Sequence, residues 1–447
     1  MIFSLLSKVA FFGLLAPLSQ AQQTESEGFD LEDRVRALEE ALRIQEEELD
    51  QLRSRTSPSS GISSTPDSDG SRVEIGRFPD DAIVRTGEFP GSIRLPGLDA
   101  SVRLGGFVRT DLIHDIDSLG FDEAVSVRTI PLDGSDEDGT SQTRISARSS
   151  RINFDVRGNS EYGPIRTFIE ADFFGDGDEL RSGYQFRLRH AIAGLGDFYV
   201  GQWWSAFCDT PALPESIDDG GPLGAPVVRQ PAIRWGHERP DGWKLGLSAE
   251  NPEGDLSFSG ESPLASESVP DLIAYVQRRR SSSRLRVAGL ARRLESATNQ
   301  KWVGAVNVSG RIGVPWLNEK DNVSFQGQAG DGFARYLATF AGAGLDGFVD
   351  PRGRIEPVGI FAGYIAYQHW WSERWRSSVV ASVLELDNPQ GVDAETLEAA
   401  RYLAGNLFWS PIDRITYGVE AIYADRDTVG GSSGSGVRIM ATARFTF

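Results

Sequence analysis

The sequence predicts an all-β protein, a transmembrane antiparallel β-barrel of about 16 strands preceded by a short N-terminal α-helical coiled coil. Three observations predict this fold. The chain starts with an export signal, apolar and polar residues alternate through most of its length, and no later stretch has the ~20 consecutive apolar residues of a membrane-spanning helix. Alternation with a period of two is typical of strands whose two faces meet different surroundings.

Residues 1–21 have the pattern of a secretory signal peptide. A short start containing Lys8 precedes an apolar run to Leu18, and Ser19-Gln20-Ala21 offers a small-x-small cleavage site. A membrane anchor is the alternative, but the apolar core is too short to span comfortably. We therefore expect export and cleavage after Ala21.

Residues 28–53 predict a coiled coil. Apolar residues recur in steps of four and three with Glu and Arg between them, which is a heptad seam with one polar member. An amphipathic helix lying on its own domain would have a wider apolar stripe. Three heptads are marginal alone, so the partner chains need further contacts. The seam residues are Leu31, Val35, Leu38, Leu42, Gln45, Leu49 and Leu52.

Residues 54–99 are predicted to be a linker and lead-in. The first part, "SRTSPSSGISSTPDSDGS", is rich in Ser, Pro, Gly and Asp, a composition typical of flexible linkers. The rest is irregular and leads into a barrel over residues 100–447.

Sixteen alternating stretches follow, and an even number suits a barrel with both termini in the periplasm. "TRISARSS" and "RINFDV" run on opposite parities, which predicts a bulge or kink between them. The stretches are 102–116, 142–157, 164–174, 184–192, 197–203, 228–236, 242–250, 270–280, 284–294, 301–311, 321–330, 358–369, 374–387, 398–410, 413–426 and 436–447.

A soluble sandwich also alternates, with its apolar face inward. Three features favour a membrane barrel, whose apolar face meets lipid. About 350 residues run without an internal linker, although a soluble chain of this length usually divides. The polar face is rich in Arg. Aromatic residues cluster near predicted strand ends, where they would form an interfacial girdle: Trp203, Trp204, Trp235, Trp302, Trp370, Trp371, Trp375 and Trp409.

The composition excludes several classes of function. A net charge of −19 argues against nucleic acid as a partner, and a single cysteine, Cys208, excludes a disulfide framework. The four His residues are scattered without paired metal spacing, so we predict no metal and no cofactor. Only four of the 45 basic residues are Lys, and Arg offers a permanently charged planar fork suited to carboxylate and phosphate.

The chain resembles the DcaP-like outer-membrane porins over almost all of residues 100–447. The similar pieces include "LGGFVRTDLIHD", "SRINFDVRG", "FRLRHAIAGLGDFYVGQWWSAFCD" and the terminal "RFTF". The resemblance implies a sixteen-stranded homotrimer that passes small anions such as dicarboxylates, with its coiled coil in the periplasm. Terminal Phe447 resembles the assembly signal of Gram-negative outer-membrane proteins. Phosphate-selective relatives use many pore lysines, and this sequence departs from that pattern.

The candidate site is the set of arginines on the inward parity, which would lower the energy of an anion in a narrow pore. Alternatively, wall arginines pair with carboxylates and serve the fold, and we assign about half of them that role. Residues 205–231 are too long and too rich in Pro and Gly for a periplasmic turn and are a candidate for a loop inside the lumen. The predicted pore residues are Arg148, Arg151, Arg166, Arg187, Arg189, Arg229, Arg234, Arg284, Arg286 and Arg292; Arg109, Arg144 and Arg444 share their parity.

The sequence thus predicts a trimeric porin of the Gram-negative outer membrane rather than an enzyme. Its expected partners are the lipid bilayer, lipopolysaccharide and small anionic solutes. A barrel lipase would need a Ser and a His on the lipid face; His190 lies on an outward parity, but no Ser partner is identifiable. An envelope tether and a phosphate-selective or general porin remain as alternatives.

Overall fold

The computed structural model describes residues 86–95, 97–120, 123–178, 183–258, 267–315, 317–337 and 340–447, together with Arg43. Two one-turn 3₁₀ helices, Thr210–Ala212 and Ala334–Tyr336, accompany the strands in these residues. The strands are β1 (Ile93–Arg94), β2 (Ala100–Asp117), β3 (Gln142–Ser146), β4 (Arg151–Ser160), β5 (Gly163–Asp178), β6 (Gly183–Leu195), β7 (Phe198–Trp204), β8 (Arg229–Glu238), β9 (Trp243–Glu250), β10 (Leu256–Phe258), β11 (Asp271–Arg280), β12 (Ser283–Glu295), β13 (Gln300–Gly313), β14 (Asn322–Asp331), β15 (Gly347–Val349), β16 (Ile355–Pro357), β17 (Gly359–Trp370), β18 (Trp375–Asp387), β19 (Leu397–Ile412), β20 (Ile415–Thr428) and β21 (Ser433–Thr446).

The wall is a closed antiparallel barrel. Each wall strand pairs with the next along the chain, and β2 closes the ring by pairing with β21, with Arg109 opposite Arg444. The other edge of β2 pairs with both β3 and β4, which together form one wall strand. Counted this way the wall has sixteen strands, so the predicted fold and strand number are confirmed.

The predicted irregularity between "TRISARSS" and "RINFDV" is the break between β3 and β4. Residues 147–150 leave the ladder in a turn in which the Ser150 N–H donates to the Ala147 carbonyl at 3.0 Å. Ile145 on β3 and Phe154 on β4 are both exposed on the outside, at 70% and 45%, although their parities differ. The break therefore keeps one face apolar along the whole wall strand.

The two faces of the wall differ as the barrel hypothesis requires. On β2 the outward Val108 and Leu112 are 55% and 44% exposed, whereas the inward Asp111 and Asp115 are 3% and 0% exposed. The chain ends in the same pattern, with Arg438 fully buried inside and Phe445 47% exposed outside. Large apolar side chains on the outside are stable because they meet hydrocarbon rather than water.

An outward aromatic row crosses four strands near the end of the barrel that holds both termini. Trp375 stacks on Trp409 at 5.6 Å, Trp409 stacks on Tyr417 at 5.6 Å, and Tyr417 meets Phe445 edge-on at 6.4 Å. This row has the position of an interfacial girdle.

Three tryptophans assigned to that girdle are inside the barrel instead. Trp203 packs on the buried inward His190, with ring centroids 4.4 Å apart. Trp204 lies under the inward Arg189, and Trp370 under the inward Arg376. The prediction was wrong because closeness to a strand end does not determine which face a side chain occupies.

Loops at the two ends of the barrel differ in length. Turns at the end with the termini are short, as at residues 161–162 and 413–414, and long loops leave the other end. Outer-membrane barrels keep their short turns in the periplasm. Three long loops, 118–141, 205–228 and 332–358, send buried apolar residues into one core inside the barrel: Leu119, Ile130, Phe207, Ile217, Phe333 and Tyr336.

Several predictions lie outside the described residues. They are the signal peptide over 1–21, the linker over 54–85 and the coiled coil over 28–53 with its seam at Leu31, Val35, Leu38, Leu42, Gln45, Leu49 and Leu52. In the part of the chain that the structure describes, no helix is long and apolar enough to cross a bilayer.

Candidate functional site

The segment over residues 205–228, here called the lumen loop, lies inside the barrel and begins against β12. The Arg286 guanidinium donates to the Cys208 carbonyl at 2.6 Å and also to the Ala206 carbonyl. Arg284 pairs with Asp209, whose other carboxylate oxygen accepts the Ser309 hydroxyl at 2.8 Å. Arg284 and Arg286, both predicted to line the pore, thus anchor this loop.

Residues 217–219 of the lumen loop are held by one wall carboxylate, Glu420, and one wall arginine, Arg109. Inward-facing Glu420 on β20 accepts the backbone N–H of Ile217 and, at 3.1 Å, that of Asp218. Arg109 on β2 donates to the Ile217 carbonyl and pairs with Asp219 at 3.3 Å. These contacts satisfy backbone groups that would otherwise be buried without partners.

Asp218 fastens the lumen loop to the loop over residues 118–141. Its carboxylate accepts the N–H groups of Val125 and Gly220, both at 3.0 Å, and the Tyr402 hydroxyl at 3.2 Å. Burial raises the pKa of Asp218 above its usual range.

The middle of the lumen loop crosses β18. Glu215 pairs with Arg376 at 2.5 Å, and further along the Gly224 N–H donates to the Ser382 hydroxyl at 2.9 Å. Together with the anchors on β12, β20 and β2, these contacts cover one side of the barrel interior. On the opposite side, formed by β4 to β8, the loop reaches the start of β4, where Asp219 pairs with Arg151 at 3.8 Å. The remaining space lies along β5 to β8.

Arg292 lies away from that space, and Arg234 lies at its edge. Arg292 is 1% exposed and pairs with Asp271 at 3.3 Å and Asp346 at 2.7 Å beneath the loop over residues 332–346. Arg234 pairs with Glu250 at 3.2 Å and keeps part of its side chain accessible. Arg292 therefore fixes a second loop inside the barrel.

The other predicted arginines lie together on this opposite side, which we call the basic wall: Arg148, Arg151, Arg166, Arg187, Arg189 and Arg229. Arg187 and Arg189 share Asp172, at 2.7 and 2.8 Å, and Arg189 also pairs with Glu170 at 2.8 Å. Asp172 is 1% exposed, whereas the Arg187 side chain is 41% exposed. The carboxylate is thus enclosed by two guanidinium groups, of which that of Arg187 faces the water.

Aromatic rings support the guanidinium groups of the basic wall. Phe174 lies between Arg148 and Arg187, at 4.9 and 5.0 Å from the ring centroid. Trp204 lies between Arg229 and Arg189, at 4.8 and 5.8 Å. Stacking on a ring face leaves the N–H edge of a guanidinium free to meet an anion.

Arg229 is the least neutralised member of the basic wall. Among the described residues it has no carboxylate within ion-pair distance, and its nearest charged neighbours include Arg187 and Arg189. Stacking on Trp204 and the more distant charge of Asp172 offset part of this crowding of like charges. Arg229 thus presents a positive charge to the lumen that no protein anion offsets directly.

His190, predicted to face outward, is buried inside the barrel at 4% exposure. The register between β5 and β6 shifts there, so that Glu170 lies opposite His190 while Ala171 lies opposite Leu188. Arg189 is the extra residue of this bulge, which brings two consecutive side chains to the same face. A lipid-facing His for a barrel lipase is therefore absent at this position.

Below the basic wall, towards the short turns, lies a cavity of about 200 Å³ that we call the lower cavity. Its lining includes three cationic side chains, Arg166, Arg234 and Lys244, and no carboxylate. Aromatic rings of Tyr199, Trp203 and Tyr275 complete it. Sequence reasoning missed Lys244, although its parity with Ser248 and Glu250 already indicated an inward position.

A family profile described as "DcaP outer membrane protein" matches residues 97–447. The chain belongs to the DcaP outer-membrane protein family. The predicted family and the location in the Gram-negative outer membrane are thereby confirmed.

Solved structures share the fold of this DcaP-family barrel. The outer membrane channel DcaP of Acinetobacter baumannii superposes with a TM-score of 0.69 at 23% identity, covering 78% of this chain and 97% of that one. The anion-selective porin from Comamonas acidovorans gives 0.52 at 12% identity, covering 78% and 100%. OmpT of Vibrio cholerae gives 0.52 at 13% identity, covering 79% and 99%. No curated protein sequence matches this chain.

The remaining predicted residues lie at or beside the β2–β21 seam of the DcaP-family barrel. Phe447 is 54% exposed next to the barrel seam, where its N–H donates to the Gly106 carbonyl at 3.1 Å. Arg144 pairs with Asp115 at 3.4 Å, and Arg444 lies over the Phe107 ring at 5.8 Å. Within the described residues, no group of three or more His, Cys, Asp or Glu side chains is arranged to hold a metal ion.

Proposed function

We propose that this barrel is a passive channel for small anionic solutes of the dicarboxylate type, which diffuse along the basic wall. The observation that carries the proposal is the lower cavity, whose lining includes three cations and no carboxylate. A solute leaving the basic wall towards the periplasm enters a space in which protein charges of only one sign line the surface.

The basic wall supplies several weak sites in series. Arg187 and Arg148 lie towards the long loops, Arg189 and Arg229 at the level of Trp204, and Arg166 towards the short turns. Carboxylates such as Asp172 neutralise part of the positive charge of the arginines, so each site binds an anion weakly. Favourable entry combined with weak, repeated binding is what conduction requires.

The relatives support this reading at the level of chemistry. The A. baumannii protein is an outer membrane channel, and the C. acidovorans protein is an anion-selective porin of the same fold. A dicarboxylate suits the basic wall because adjacent guanidinium groups can each donate hydrogen bonds to one of its carboxylates.

The test compares succinate with succinamide, an uncharged diamide on the same carbon skeleton. In liposome-swelling assays we expect the purified channel to admit succinate several-fold faster. The variant Arg187→Gln/Arg189→Gln/Asp172→Asn, which removes net positive charge without leaving Asp172 unpaired, should reduce this preference. Equal rates for the two solutes in the unaltered channel would refute the proposed selectivity.

We also propose that the mature protein is a homotrimer, with residues 28–53 as its periplasmic coiled coil and Phe447 as an assembly signal. A chain lacking residues 22–71 should still form heat-modifiable trimers of lower stability, because three heptads contribute little alone. Recovery of monomers only would show that the coiled coil is decisive. Phe447→Ser should lower outer-membrane yield while export to the periplasm continues, and an unchanged yield would remove the assembly role.

A further inference from the structure

The residues just before the barrel form a small hairpin, Thr86 to Arg94, that we call the lead-in hairpin. The Gly87 N–H donates to the Ser92 carbonyl at 2.9 Å, and the Glu88 N–H donates to the Ser101 hydroxyl of β2 at 3.0 Å. Ser92 and Ser101 are buried, at 4% and 0% exposure. β1, the second arm of the hairpin, pairs with the start of β2. The hairpin is therefore fixed at the periplasmic end of the wall.

The lead-in hairpin places one aromatic ring among inward arginines. Phe89 lies between Arg157 and Arg103, at 4.4 and 5.8 Å from its ring centroid. The arrangement repeats that of Phe174 and Trp204 higher in the pore, but here the ring comes from outside the barrel strands. Phe89 precedes β2 and β4 in the chain, so the alternation of inward and outward residues on those strands does not account for its position.

Three arginines at this level share one carboxylate. Arg157 and Arg166 pair with Asp155 at 2.6 and 2.9 Å, and Arg103 approaches it at 3.7 Å. Asp155 is fully buried, whereas the three arginine side chains are 36–44% exposed. Both carboxylate oxygens are already used by Arg157 and Arg166, so the cluster keeps unsatisfied N–H donors and excess positive charge.

A cavity of about 330 Å³ at the periplasmic mouth is bordered by two arginines of this cluster, Arg157 and Arg166, and by Phe89. Its lining includes Glu88, Phe89, Arg157 and Arg166, so one carboxylate of the hairpin partly offsets the positive charge at the rim. Arg166 and Tyr199 line both this cavity and the lower cavity. A solute that leaves the lower cavity thus meets the arginine cluster next.

We propose that the lead-in hairpin completes an exit site, formed by Phe89, Arg157 and Arg166, which binds the carboxylate of a small organic anion before its release into the periplasm. The inference rests on the proposed anion channel and adds a binding site to which a segment outside the barrel wall contributes. Phe89 acts as a positioning residue, since its ring lines the cavity and contacts the guanidinium groups of Arg157 and Arg103.

The experiment measures succinate binding from each side of single channels inserted in one orientation in planar bilayers, using current noise. Arg157→Gln and, separately, Phe89→Leu should each weaken binding of periplasmic succinate by roughly threefold, the size of one solvent-screened charge contact. Binding from the extracellular side should stay as in the unaltered protein, and the open channel should still conduct anions in preference to cations. Arg94→Gln is the matched control, because Arg94 lies on the same hairpin but pairs with Asp99 outside this cavity.

The outcomes separate the exit site from the channel itself. Intact anion selectivity with unchanged periplasmic binding in both Arg157→Gln and Phe89→Leu overturns the exit site alone. Equal weakening from both sides also overturns it, since the site would then not be local to the periplasmic mouth. Cation selectivity of the unaltered channel refutes the proposed function. In that case titration calorimetry of succinate with detergent-solubilised protein decides the exit site, and equal affinities of the unaltered protein and Arg157→Gln contradict it.

Discussion

Replacing Arg229 by Gln removes one positive charge from the lumen without leaving a carboxylate unpaired, because among the described residues Arg229 has no ion-pair partner. At ~6 Å, one charge changes the energy of a passing monovalent anion by about 0.7 kcal/mol in bulk water and by about 2.8 kcal/mol at an effective dielectric constant of 20. Even the smaller value corresponds to roughly a threefold change in an equilibrium. The ratio of chloride to potassium permeability should therefore fall at least threefold.

The assay is the zero-current potential of single channels under a potassium chloride gradient. The effect should shrink as salt rises, because the Debye length falls from about 10 Å at 0.1 M to about 3 Å at 1 M. Arg401→Gln is the matched control, since Arg401 lies outside the lumen on β19 and is 62% exposed. An unchanged potential in Arg229→Gln at low salt would refute the claim that this charge acts on permeating ions.

Two substitutions and one labelling experiment test how the loops are held inside the barrel. Arg292→Ala leaves Asp346 buried without its partner, so the barrel should lose about 3–5 kcal/mol of stability, seen as a lower temperature of heat modification, with unchanged ion selectivity; unchanged stability would contradict that role. Glu420→Ala leaves the N–H of Ile217 buried without an acceptor, so the lumen loop is held less firmly and the channel should give noisier, larger currents. A quiet channel of normal conductance would contradict the anchoring of the lumen loop. Burial raises the pKa of Cys208 to about 12, so its thiol stays protonated and should resist maleimide at pH 8 until the barrel is denatured; rapid labelling of the folded barrel would contradict this.

The strand pattern was predictable because every wall strand of a membrane barrel must present an apolar face to lipid. Each of the sixteen predicted stretches coincides with a wall strand to within a few residues, and the parity change before Arg151 marked a real break. A lipid face that must be apolar leaves this signal in every strand. The bulge at Arg189 left no such signal, because it inserts one residue without changing the composition.

The candidate site was predictable only in part. Parity indicates that Arg284, Arg286 and Arg292 face inward, but it does not indicate which of them a loop covers. That depends on where the lumen loop and the loop over residues 332–346 pack, and their anchors lie about 54 to 204 residues apart in sequence, as for Arg292 with Asp346 and Ser216 with Glu420. The contribution of Phe89 had no sequence signal, because it depends on how the lead-in hairpin docks on β2.

The most direct test of the anion pathway is the sign of the zero-current potential of the unaltered channel in a potassium chloride gradient. The chain carries a net charge of −19, so its overall charge would favour cations. The basic wall and the lower cavity predict the opposite, because the charges that line the lower cavity are two arginines and one lysine, and on the basic wall Arg187 is exposed while its partner Asp172 is buried. A potential that reports chloride as the more permeant ion supports the account, and one that reports potassium contradicts it.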